Sequence, residues 1–112
     1  MTFDNPHFNS LKEWISHLPG VTSGPHRFGG TEYKVLGLEF MHFHGQKHLD
    51  IRLSMQDQKR VLTEGMAEQH LYAPQARLVI LRIRCEDNIQ TAKQQVRLAY
   101  DNARRARTPE TN

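Results

Sequence analysis

The chain has 112 residues, 38% hydrophobic and 24% charged, with a formal net charge of +3 and a mean hydropathy of -0.68. That length suits one domain with a two-layer core, residues 1–112, and no apolar run approaches the roughly 20 residues that a membrane-spanning helix requires. The first residues carry no basic segment leading into an apolar one, so no secretory signal is expected and the cytoplasm is the expected compartment.

Ser10 and Glu13 form a capping-box pattern, which predicts a helix starting there with Leu11, Trp14, Ile15 and Leu18 along one face and Pro19-Gly20 ending it. Gly24 to Gly30 reads as a loop holding at most a short strand. Its glycines do not make a phosphate loop, because Thr31 to Leu36 after them reads as a strand and not as a helix N-terminus.

After Gly37, two runs alternate with the period of strands: Leu38 to His44, then His48 to Ser54, joined by Gly45-Gln46-Lys47. A three-residue turn sets His44 opposite His48, and therefore His42 opposite Asp50, Met41 opposite Ile51 and Phe43 opposite Leu49. One face of the hairpin is then apolar and the other carries His42, His44, His48 and Asp50. A slip of one residue would exchange the two faces, so the alternation itself selects this register.

Ser54 or Gln56 opens a second helix, running to about Glu64 with Met55, Val61 and Leu62 inward and Gly65 at its C-terminal cap. Met66 to Ala76 is a connector containing His70 and Pro74. Met41, Met55 and Met66 read as core or near-core filler. Arg77 to Arg84 is an apolar strand with the lone Cys85 at its end; a single cysteine makes no internal disulfide, which fits a reducing compartment.

A last helix starts near Glu86 or Asp87, with Ile89, Ala92, Val96, Ala99 and Tyr100 at helical spacing and an acidic start and basic end that suit the helix dipole. Residues 105–112 read as a flexible tail. The order predicts an α+β fold: an antiparallel sheet of about four strands with helices packed on one face. The other face is expected to be open, as a binding surface or as the contact of a homodimer.

Two of the hairpin histidines with Asp50 suit Zn²⁺ or non-haem Fe(II), and His42, His44 and Asp50 are the candidate metal set. The same face, with His48 and with His26 and His70 reaching it across loops, is the candidate small-ligand site. Binding of a small molecule is the leading reading, with a metal-dependent oxygenase or oxidoreductase as the alternative; metal content separates the two. A nucleic-acid-binding module built on Arg97, Arg104, Arg105 and Arg107 ranks last. Fifteen basic residues against 12 acidic ones are a small surplus, and no RNA-recognition strand motif is present.

The segments Leu18-Pro19-Gly20-Val21 to Tyr33, Glu39-Phe40-Met41-His42-Phe43-His44-Gly45 with Leu49-Asp50-Ile51, Gly65-Met66-Ala67-Glu68-Gln69-His70 and Arg97-Leu98-Ala99-Tyr100 resemble, in that order, the small luciferase-like domains of bacteria and fungi. The resemblance spans about residues 18–100. That family takes its name from a sponge protein described as a luciferase, and the resemblance by itself implies membership, not light emission.

Overall fold

The structure, a computed structural model, describes residues 6–26, 30–44, 48–69 and 77–107. Helix α1 (Pro6–Ser16) is followed by strands β1 (Val21–Pro25), β2 (Thr31–Val35), β3 (Leu38–His44) and β4 (His48–Arg52), helix α2 (Met55–Thr63), strands β5 (Glu68–Gln69) and β6 (Leu78–Arg82), and helix α3 (Glu86–Arg107). All strand pairs are antiparallel, in the order β1-β2-β3-β4-β6-β5. The class is the expected α+β. The described residues form six strands where about four were expected, because β1 occupies part of the predicted loop and the short β5 lies in the predicted connector.

Helix α1 begins before Ser10, which lies exposed within it. Pro6 suits a first helical position, where its missing N–H costs nothing, and Phe8 extends the buried stripe one turn ahead of Leu11 and Ile15. The capping pattern at Ser10 is overridden by this burial. At α2 the expectation of a cap at Ser54 holds: its hydroxyl accepts from the Asp57 amide at 3.1 Å. Gly65 sits one position beyond the cap at φ +69, with its own amide on the Leu62 carbonyl and the Met66 amide on the Val61 carbonyl, a Schellman closure that requires the left-handed backbone. Met55 and Met66 do not fill the core, being 64% and 39% exposed. Met55 is the first residue of α2, in which Val61 is buried.

One apolar cluster lies between the sheet and the helices. Met41, Phe43, Leu49 and Ile51 from the hairpin meet Phe8, Leu11 and Ile15 of α1 and Val96, Ala99 and Tyr100 of α3. Phe43 is the hub of its aromatic part, 5.4 Å from the Phe8 ring and 5.7 Å from Tyr33. The hairpin register is as predicted: Met41 faces Ile51, His42 faces Asp50, Phe43 faces Leu49 and His44 faces His48. Among the described residues no helix is long and apolar enough to cross a membrane.

Opposed residues share a face, so register alone carries a row across the whole sheet on the side away from the core: Gly24, Glu32, His42, Asp50, Ile80 and Glu68. This face is not open over its centre. His42 is 4% exposed and Asp50 1%.

Candidate metal centre

Between Tyr33 and Lys34 the pairing of β2 with β3 slips: Tyr33 faces Met41 but Lys34 faces Glu39, which leaves Phe40 as an extra residue in β3. The bulge changes the phase of the strand. Phe40 and Met41 are both buried, and Phe40 turns to the core, where its ring meets that of Tyr100 at 5.7 Å and 75°. Glu39 is thereby moved onto the histidine face, and its Oε1 lies 2.9 Å from His42 Nδ1. In an unbroken strand, residues three apart would point to opposite faces.

The other ring nitrogen of His42 enters a tight triangle. His42 Nε2 is 3.0 Å from His44 Nε2 and 2.9 Å from Asp50 Oδ2, and His44 Nε2 is 3.0 Å from the same oxygen. Three donor atoms bound at about 2.1 Å lie about 3.0 Å apart on one octahedral face and about 3.4 Å apart in a tetrahedral site. The observed edges, which are hydrogen-bond distances in the metal-free protein, are short enough for all three atoms to reach one ion. The His42 and His44 rings stand 65° apart, which lets their lone pairs converge on one point.

Glu39 completes an arrangement common around metal-binding histidines. A carboxylate that accepts the Nδ1 proton fixes the tautomer and leaves the Nε2 lone pair aimed at an ion. A second cluster, His26, Glu39 and His42, also brings three donor atoms close together. Its rings do not suit an ion: His26 stacks on His42 at 4.0 Å with planes only 17° apart, so their in-plane lone pairs run side by side. His26 Nε2 lies 3.5 Å from Glu39 Oε1, and its role there is to cover His42 and share its carboxylate.

His48 stands at the rim. Its ring stacks on His44 at 4.9 Å and 22°, its Nε2 is 3.6 Å from Asp50 Oδ1, and its Nδ1 is buried without a hydrogen-bond partner among the described residues. The His44, Glu39 and His48 side chains are partly exposed, at 34%, 23% and 22%, whereas His42 and Asp50 are buried. Of the predicted site residues, the structure thus joins His42, His44 and Asp50 in the triangle and places His48 and His26 beside it. His70 lies outside the described residues. In the sequence Glu39 stands out only as part of the family motif; the signal for its role is the paired Phe40-Met41, which breaks the alternation just before His42.

The charges are interdependent. Burial opposes a proton on His42, but hydrogen bonds to Asp50 and Glu39, together with their charges, outweigh it and push its pKa up to about 9. Burial alone would raise the Glu39 carboxyl; the His42 hydrogen bond and the charges of His42, His26 and Arg52 hold it below its ordinary value instead. His48 goes the other way, lowered by burial and by His44, Arg82 and His42 against the opposing pull of Asp50. On α3, Arg97 pairs with Asp101, and Arg104 lies over the Tyr100 ring at 5.5 Å.

The family model for the luciferase domain matches residues 37–99, more than half of the chain. The chain belongs to the luciferase-domain family. The matched span of this luciferase-domain protein begins at Gly37 and contains Glu39, His42, His44, His48 and Asp50, so the whole triangle lies within it. The resembling segment from Leu18 to Tyr33, which leads up to His26 and on into β2, precedes it. No curated protein and no solved structure matches the chain.

Proposed function

We propose that this luciferase-domain protein holds one first-row divalent metal ion on His42, His44 and Asp50 and acts on a small molecule bound beside it. The supporting observation is the triangle of Nε2, Nε2 and Oδ2 atoms with edges of 2.9 to 3.0 Å. Two imidazoles and one carboxylate on a single octahedral face leave the opposite positions for water, substrate or O₂, the arrangement used by non-haem Fe(II) oxygenases. Fe(II) is therefore the ion of choice and Zn²⁺ the competitor. An oxygen-activating centre also gives the family name a chemical basis, since light-emitting reactions are oxidations.

Each residue has a separate task. Asp50 supplies the negative charge that binds a dication, His42 and His44 supply neutral nitrogens, and Glu39 holds His42 in the required tautomer. The stacked His26 keeps water from the back of His42, while the His44 and His48 side admits ligand.

A second reading rests on the doubly hydrogen-bonded His42. Held between Glu39 and Asp50, it can keep a proton, and the face is then a metal-free polar pocket that offers a small molecule a hydrogen-bonded acid–base group. Anaerobic titration with Co²⁺, followed by visible absorption, separates the two readings. The metal reading predicts saturable, weak bands of a six-coordinate ion that vanish in Asp50→Asn. Absence of any binding overturns it, and intense four-coordinate bands overturn the octahedral assignment.

A further inference from the structure

A groove of about 550 Å³ opens at the other end of the hairpin, between the start of β3, the corner from β4 into α2 and the C-terminal half of α3. That volume falls in the range of small-molecule sites. Its apolar wall is made by Leu38, Phe40 and Leu53 from the sheet end and by Ala99, Ala103 and Ala106 from α3. Past Val96 the buried stripe of α3 carries Tyr100 on one side and only the methyl groups of Ala99 and Ala103 on the other, and the space beside these methyl groups is the groove. The bulge that moves Glu39 to the histidine face also supplies the Phe40 ring to this wall.

The rim is cationic. Arg52 and Arg77 both border the groove against a single lining carboxylate among the described residues, Glu39, which Arg52 and His42 share. Arg77 is held at φ +62, a left-handed backbone that a side-chain-bearing residue adopts at a cost. The bond from the Leu53 amide to the Arg77 carbonyl at 3.0 Å pins that conformation to the groove wall. Ser54, on the same rim, caps α2, and the Asp57 carboxylate in the first turn of that helix accepts from Asn102 of the groove lining.

We infer that this groove binds an amphipathic anion, an organic carboxylate or phosphate whose head is held by Arg52 and Arg77 and whose apolar tail lies along Phe40, Leu53 and the α3 alanines. From Ala99 to Ala106 the wall runs about 10 Å at the helical rise of about 1.5 Å per residue, the reach of an acyl chain of about eight to ten carbons. The inference does not rest on the metal reading, because no wall residue belongs to the triangle.

The test is calorimetric titration of the full chain with decanoate, once after dialysis against a chelator and once with metal added back. The expected result is saturable binding in both states, weakened about tenfold in Arg52→Gln and in Arg77→Gln and abolished in Ala106→Trp, which fills the groove from an exposed position. Decyltrimethylammonium should bind at least tenfold more weakly than decanoate. Absence of decanoate binding, equal binding of the cationic amphiphile, or undiminished affinity in the tryptophan variant or in either arginine variant overturns the inference. Circular dichroism of each variant establishes that it is folded. Decanoate binding without Co²⁺ binding would leave this site standing while removing the metal centre.

Discussion

Glu39 Oε1 lies 2.9 Å from His42 Nδ1 because one extra residue, Phe40, separates them in a strand that would otherwise point them apart. The carboxylate then works through the histidine on whatever His42 Nε2 holds. Glu39→Ala should reduce metal affinity about 10- to 100-fold. Glu39→Gln, which can still accept the Nδ1 proton through its amide oxygen, should recover part of the loss. Competition with a metallochromic chelator measures both, and a Glu39→Ala variant of undiminished affinity would remove Glu39 from the site.

His44 and His48 face each other across the hairpin, yet only His44 reaches the triangle. His44→Ala should abolish stoichiometric metal, whereas His48→Ala should retain it and alter only the approach of ligand. Equal loss in the two variants would mean that His48 is a fourth ligand, and the side proposed for ligand entry would be wrong.

In the metal-free protein the raised pKa of His42 makes stability depend on pH. A folded pKa of about 9 against an ordinary value of 6.5 means that the folded state binds the proton more tightly than the unfolded chain does. That contribution is fully present below about pH 6.5 and is lost as pH rises through about 9. Denaturant unfolding of chelator-treated protein from pH 6 to pH 10 should therefore show falling stability across that window, and His42→Asn should flatten it. Metal must displace the same proton, so affinity should climb with pH over the same interval. A stability profile that rises toward pH 9 would contradict the placement of His42 between two carboxylates.

The backbone around His26 depends on a glycine. Gly30 has φ +81, its carbonyl accepts from the His26 amide at 3.1 Å, and a Cβ there would drive into the Phe43 carbonyl. Gly37 has a similar φ of +80 but open space around it. Gly37→Ala should cost about 1–2 kcal/mol from backbone strain alone; Gly30→Ala should cost clearly more and should also loosen metal binding by displacing His26. Thermal melts of the two variants compare them directly, and equal losses would mean that the close approach is absent.

Much of the hairpin was legible because a period of two leaves only one register that keeps Met41, Phe43, Leu49 and Ile51 together. The pairing His42 with Asp50 followed from that alone. The contribution of Glu39 did not, since a bulge shifts the phase of a strand for a reason that lies across the sheet: Phe40 gains burial against Tyr100, a residue 60 positions later. The early start of α1 was hidden in a similar way. Ser10 satisfies a local capping rule, but Phe8 gains more from joining the Phe43 cluster than a cap at Ser10 would contribute. The burial of Asp50 was also beyond a hairpin pattern, which fixes the face of a side chain and not what covers that face.

The most direct measurement is the metal content of protein purified without a histidine tag, for the wild type, His42→Ala and Asp50→Asn, each as isolated and after anaerobic incubation with Fe(II) and desalting. The account predicts stoichiometric metal in the reconstituted wild type and its loss in both variants. Metal-free wild type after reconstitution, or the same metal content in all three proteins, would contradict it.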